Sequence, residues 1–187
     1  MVDFFYSDPH FGHSRVVGYR PFSSVETMNR ELVLRYNKAV GRDDLVLWLG
    51  DCFFMPAEDA RRVLSEMNGR KLLVRGNHDG SPRRMASLGF ELVTDEAFLA
   101  VAGRKVRVSH YPYAGRGEEH RAPDARDRFL DRRPPRVKGE VLLHGHTHSA
   151  RRLHENMVHV GVDAWDYRPA PIAMVERLVR RVFGEAA

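Results

Sequence analysis

A chain of 187 residues with 43% hydrophobic and 29% charged side chains is long enough to bury a core unaided and has the make-up of an ordinary globular protein. Its single cysteine, Cys52, excludes an internal disulfide, "MVDFFYSDPH" lacks the basic segment and apolar run of a secretion signal, and no stretch approaches the about eighteen apolar residues of a spanning helix, so the reading is a cytoplasmic protein with no membrane partner. A net charge of +5 would suit a polyanionic partner, but 26 of the 30 basic residues are Arg, a skew that genomic base composition also produces, so charge alone identifies no nucleic-acid binder.

In chain order, the first β-type run is "VDFFYS". Ser23 and Ser24 are capping candidates for a helix over "VETMNRELVLRYNKAV", with Met28, Leu32, Tyr36 and Val40 at helical spacing before Gly41. A strand "DLVLWLGD" follows, then a helix "PAEDARRVLSEMNG" with Pro56, Glu58 and Asp59 early and Gly69 after its end. The strands "KLLVRGN", "FELVTD", "FLAVAG" and "KVRVSH" come next. Residues 111–138 break the rhythm with many charges and several prolines, too long for an ordinary connection, with a short helix expected around Asp124–Leu130. "EVLLHGH" and "MVHVGVD" read as strands, and the spacing in residues 170–187 allows a closing helix. No repeat or linker is visible. The pattern predicts one α/β domain over 1–187, with two sheets flanked by helices.

Residues able to bind metal recur where the apolar strands give out: Asp8 and His10, Asp51, Asn77 with His78 and Asp79, His110, then His146 and His148. Sites in α/β folds form at the carboxyl ends of strands, so five such ends can converge on one pocket. Two Asp, one Asn and four His are too many for one ion and fit two, with a carboxylate such as Asp51 able to bridge. Mixed oxygen and nitrogen donors without thiolate suit Mn, Fe, Ni or Zn better than Ca or Mg. Gly50, Gly76 and Gly145 fit a site that backbone must approach closely.

The segments "DPH", "GD", "GNHD", "SH" and "GHTH", in that order, resemble the five motifs of the calcineurin-like metallophosphoesterase superfamily, and "HFGH", "SHYPY" and "VGVDAWDYRPAPI" are similar to its small phage-type branch. The resemblance spans Asp8 to His148 and implies a four-layer α/β/β/α fold, a two-sheet β-sandwich flanked by helices, with no cap domain. It implies two divalent transition-metal ions, Mn foremost, one held by Asp8, His10, Asp51 and His148, the other by Asp51, Asn77, His110 and His146. A hydroxide bridging them would attack phosphorus in line, His78 would protonate the leaving oxygen or stabilise its charge, and Asp79 would orient the His78 imidazole.

His144 shares the alternation of His146 and His148 but falls outside the motif and reads as packing or support. His13 reads as a substrate contact at the mouth or as a turn histidine. Cys52 reads as a buried packing residue, while His120, His154 and His159 match no motif. Many relatives carry a further acid after "GD", where this chain continues "CFF". The long charged loop is either a solvated insertion, since it also holds Glu118, Glu119, Asp124, Asp127 and Asp131, or a lid using Arg116, Arg121, Arg132, Arg133 and Arg136 on a polyanion. An uncapped site on a basic protein points to phosphodiesters, nucleotide or nucleic acid, with phosphomonoesters of small metabolites as the alternative. A non-catalytic scaffold of the same fold would not require His78, and no obligate protein partner is inferred.

Overall fold

The computed structural model describes residues 1–114 and 128–185. Strand β1 (Phe4–Tyr6) is followed by α1 (Ser14–Val17), α2 (Val25–Ala39), β2 (Leu45–Trp48), α3 (Ala57–Glu66), β3 (Arg70–Val74), α4 (Pro82–Leu88) and β4 (Leu92–Thr94). Then come β5 (Glu96–Val101), β6 (Arg104–Ser109), β7 (Val141–His144), β8 (Leu153–His154), β9 (Met157–His159), β10 (Ala170–Pro171) and α5 (Ile172–Val182). They form two five-stranded sheets, ordered β10-β1-β2-β3-β4 and β5-β6-β7-β9-β8. Strands β1 to β4 run parallel, as do β6, β7 and β9, so the carboxyl ends within each parallel set share one rim.

Alternation along β2 sorts the layers, because successive strand side chains face opposite sides. Val46 and Trp48 pack with Met28, Leu32 and Tyr36 of α2, Ala60 and Leu64 of α3, and Met85 and Leu88 of α4. Leu45, Leu47 and Leu49 face the other way, into a core with Val106 and Val108 of β6, Val141 and Leu143 of β7, and Val158 of β9. That core lies between the two sheets and also takes Val175 and Val179 from α5. Each such side chain, fully buried, contributes roughly 1.5–3 kcal/mol. The outer face of the second sheet carries Leu142 and Met157, packed with Tyr113.

Helix starts follow capping chemistry. Ser24 Oγ accepts the Thr27 amide at 3.1 Å at the head of α2, as the two serines suggest. Ser81 caps α4 the same way with Pro82 as its first residue, a helix-start signal that the Ser-Pro pair carries in the sequence. All eight expected strands form, and α5 takes up the spacing of residues 170–187. The two-residue strands β8 and β10 are too short to leave a periodic trace. Of the helix expected around Asp124–Leu130, residues 124–127 lie outside the described residues, and a single 3-10 turn occupies Leu130–Arg132.

The far ends of the two sheets meet through backbone. Ser7, just beyond β1, bridges Gly161, just beyond β9, and its carbonyl accepts the Val162 amide at 3.0 Å. The loop after β1 also zips to the loop after β2: the amides of Asp8, His10 and Phe11 donate to the carbonyls of Gly50, Asp51 and Cys52. The expected ligands sit along this seam.

Candidate metal centre

All seven expected ligands gather where β1, β2, β3, β6 and β7 end. Two groups, Asp8 with His10 and His148, and Asp51 with His110 and His146, each bring their donor atoms within 4.8 Å of one another. Asn77 joins the second group, its Oδ1 3.2 Å from His110 Nε2. Asp51 Oδ2 lies 3.7 Å from His10 Nε2 and 3.6 Å from His110 Nε2, between the two groups. With metal–ligand bonds of about 2.0–2.2 Å, donors on one ion stand somewhat over 3 Å apart, close to the spacing seen here. His10 is buried, and neither of its ring nitrogens has a hydrogen-bond partner among the described residues. A buried imidazole in that condition is costly unless something ligates it. The donor set therefore fits two borderline divalent ions.

The turns carrying these ligands are backbone-strained. Asp8, His10, Asp51, His146 and His148 have φ of 56°, 52°, 53°, 71° and 52°, in the left-handed region. Each such residue costs about 1–2 kcal/mol, and strain of this kind concentrates at functional sites. The expected close approaches are present: a Cβ on Gly50 would lie 2.2 Å from the Gly76 amide, and one on Gly145 would lie 2.4 Å from Asp8 Oδ2.

Hydrogen bonds aim the ligands. Asp8 accepts the His146 amide at 2.9 Å and faces Ser7 Oγ at 2.7 Å. Burial would raise its carboxyl, but His10, His110 and His148 hold it well below the usual carboxylate range. His110 places Nδ1 2.6 Å from the Leu49 carbonyl, which sends Nε2 into the centre. His148 Nδ1 sits 2.8 Å from Asp163 Oδ2. Burial would lower both imidazoles; the Asp51 and Asp8 carboxylates outweigh it at His110, and the Asp163 hydrogen bond outweighs it at His148, so both are raised. Burial lowers His146 to about 3.

His78 stands at the mouth with a side chain 48% exposed, Nε2 3.9 Å from Asp51 Oδ2. Asp79 does not take up its expected contact with that ring. Its carboxylate accepts backbone amides of Asp51 at 2.9 Å, Cys52 at 3.0 Å and Gly76 at 2.8 Å, and no hydrogen bond joins it to the His78 side chain among the described residues. Three amide donors satisfy a carboxylate better than one exposed imidazole, so Asp79 staples the loops after β2 and β3 together. His13 lies 5.4 Å from His10, ring to ring, and burial followed by repulsion from His10 lowers it to about 4, leaving a neutral ring beside the mouth. His144 belongs to neither ligand group; it sits on the outer face beside His159, rings 5.1 Å apart. Cys52 is fully buried in the helix-side core.

The loop arginines part company. Arg116 and Arg121 fall outside the described residues. Arg133 is buried against the Pro112 carbonyl, and Arg136 pairs with Glu155. Arg132 alone of the described three lines an open cavity of about 450 Å³ that adjoins Asn77 and also includes Arg75, Asp95 and Tyr111.

Sequence reasoning missed three contributors. Phe54, from the departing "CFF", packs on His10, His13 and His78 at ring distances of 5.0, 4.0 and 4.7 Å, walling one side of the mouth. Arg20 and Asp163 form a buried pair beside His148. Asp163 lies within "VGVDAWDYRPAPI", while Arg20 carries no local signal beyond being one arginine among many.

Comparison with known proteins agrees with this geometry. The profile of the calcineurin-like phosphoesterase superfamily domain matches residues 5–162. The gene 66 protein of Mycobacterium phage L5 is 34% identical over 86% of both chains. An uncharacterized protein of Methanocaldococcus jannaschii is 27% identical, covering 94% of this chain and 89% of that one. Among solved structures, a protein of unknown function from Aquifex aeolicus superposes with a TM-score of 0.70 at 22% identity over 94% of this chain and 97% of that one, a likeness of fold.

Proposed function

The chain belongs to the calcineurin-like phosphoesterase superfamily, with phage relatives, and on that premise we propose that it is a binuclear metal-dependent phosphoesterase that hydrolyses phosphodiesters of nucleotides or nucleic acid. The observation that carries the reading is Asp51 Oδ2, within 3.6–3.9 Å of imidazole nitrogens from His10, His110 and His78, which suits a carboxylate shared between two ions and facing the reacting group. Two divalent ions bound there would supply positive charge for the phosphoryl oxygens and would lower the pKa of a water.

The chain's own residues divide the remaining work. Asp8, His10 and His148 on one side and Asn77, His110 and His146 on the other hold the ligand cage. His78, at the mouth, hands a proton to the departing ester oxygen or steadies its charge. Phe54 and the neutral His13 ring line one flank of the mouth. Support for a diester comes from the cavity beside Asn77, which leaves room for a second ester arm, and from the Arg132 guanidinium on its wall.

The test is to strip the metal, restore Mn²⁺, Ni²⁺ or Zn²⁺ singly, and compare bis-nitrophenyl with mono-nitrophenyl phosphate. Metal-dependent turnover favouring the diester is expected. Preference for the monoester would replace the diester reading with a phosphomonoesterase of small metabolites, and two bound ions without turnover would point to a scaffold.

A further inference from the structure

The side chain of Arg20 is fully buried, yet it belongs to no expected ligand group. Its Nε and Nη2 grip the two Asp163 carboxylate oxygens at 2.8 and 2.7 Å, a two-pronged pair between residues 143 apart in the chain. The same guanidinium donates to the Asp8 carbonyl at 2.8 Å and the Pro9 carbonyl at 3.0 Å, the backbone of the first metal-ligand turn. Asp163 Oδ2, while held by Arg20, faces His148 Nδ1 at 2.8 Å. The turn carrying Asp163 is in turn fixed to Ser7 by the Val162 amide.

We infer that Arg20 and Asp163 are positioning residues for the half of the centre formed by Asp8, His10 and His148. Asp163 holds the Nδ1 proton of His148 and so reserves Nε2 as the donor atom. Arg20 fixes that carboxylate and clamps the strained Asp8–Pro9 turn with its remaining N–H groups, a task needing a rigid five-donor fork that lysine lacks. Neither residue touches the ion or the substrate. The inference rests on the proposed function only in that this half binds a metal.

The variants are Asp163→Asn and Arg20→Lys, titrated with Zn²⁺ by calorimetry after metal removal, with circular dichroism reporting that each is folded. Of the two binding events in the wild type, one is expected to weaken about 10–100-fold, the usual cost of losing such a support, and the other to stay unchanged. Equal weakening of both, or of neither, overturns the inference. Asp163→Asn leaves a buried guanidinium without its partner and can fail to fold, so a second measurement uses the wild type alone. Nitrogen NMR of the histidine rings is expected to show His148 protonated at Nδ1 before metal and shifted at Nε2 by Zn²⁺. A shift at Nδ1, or none at His148, overturns the inference. Wild type that binds Zn²⁺ through Nε2 yet hydrolyses no phosphate ester would sink the proposed function and leave the inference standing.

Discussion

The two halves of the centre hold similar ligands by different means. Around Asp8, His10 and His148 a buried side-chain pair, Arg20–Asp163, reaches across the chain to seize a turn and an imidazole, in addition to the backbone zip of Asp8 and His10 to the loop after β2. Around Asp51, Asn77, His110 and His146 the anchors use backbone: the Leu49 carbonyl on His110, the His78 amide on Asp51 Oδ1 at 2.9 Å, and the loop amides gathered by Asp79. The contrast teaches that one site can be vulnerable in two ways. A side-chain anchor is lost by replacing that side chain, whereas a backbone anchor is lost mainly when the loops are forced apart.

The largest effect is expected from Asp51→Asn, which breaks both halves at once. Turnover should fall below detection, and elemental analysis should find both ions weakened by more than the about 10–100-fold of an outer support; two tightly held ions in that variant would refute the shared carboxylate. His78→Ala touches neither half. It should leave metal content intact and slow alkyl esters by about 10²–10⁴-fold, the usual worth of a general acid, while nitrophenyl esters, whose leaving group needs no proton, lose far less. Equal losses on both ester types would remove the acid role.

Gly76→Ala addresses the backbone-held half directly. A Cβ there would lie 2.2 Å from Asp51 Oδ1 and 2.8 Å from His110 Cε1, so the loops must part. A loss of about 1–3 kcal/mol in denaturant unfolding is expected, with His110 ring resonances disturbed more than those of His148. Lowering the pH should produce the mildest change and treat the halves alike. His148 and His110 are each raised from the ordinary histidine value, so each holds its proton more tightly and must shed it before it ligates. Metal affinity should drop as pH falls toward the ordinary histidine value, with proton release visible as a buffer-dependent binding enthalpy.

Much of this was legible because ligation at strand ends leaves a double trace, an apolar run followed by a donor. That trace exposed Asp8, Asp51, Asn77, His110 and His146, and the motif resemblance separated His144 from its neighbours. Two kinds of information were not legible. The role of Arg20 depends on Asp163, and no local pattern links residues so distant in sequence. The role of Asp79 depends on loop geometry: beside a histidine it suggests an ion pair, whereas three converging amides claim it instead. The loop arginines teach the same caution, since Arg133 and Arg136 serve the protein's own packing.

The course of β1 has a consequence for biosynthesis. It lies inside its sheet between β2 and β10, and β10 is made from Ala170 and Pro171 near the other end of the chain. Ligands spread from Asp8 to His148, and the Asp163 that steadies the last of them, are likewise drawn from most of this length. A ribosome must therefore deliver the chain past residue 148 before the full ligand set exists and past residue 163 before the Arg20–Asp163 support can form, so a nascent or prematurely terminated product ending before residue 146 lacks both His146 and His148.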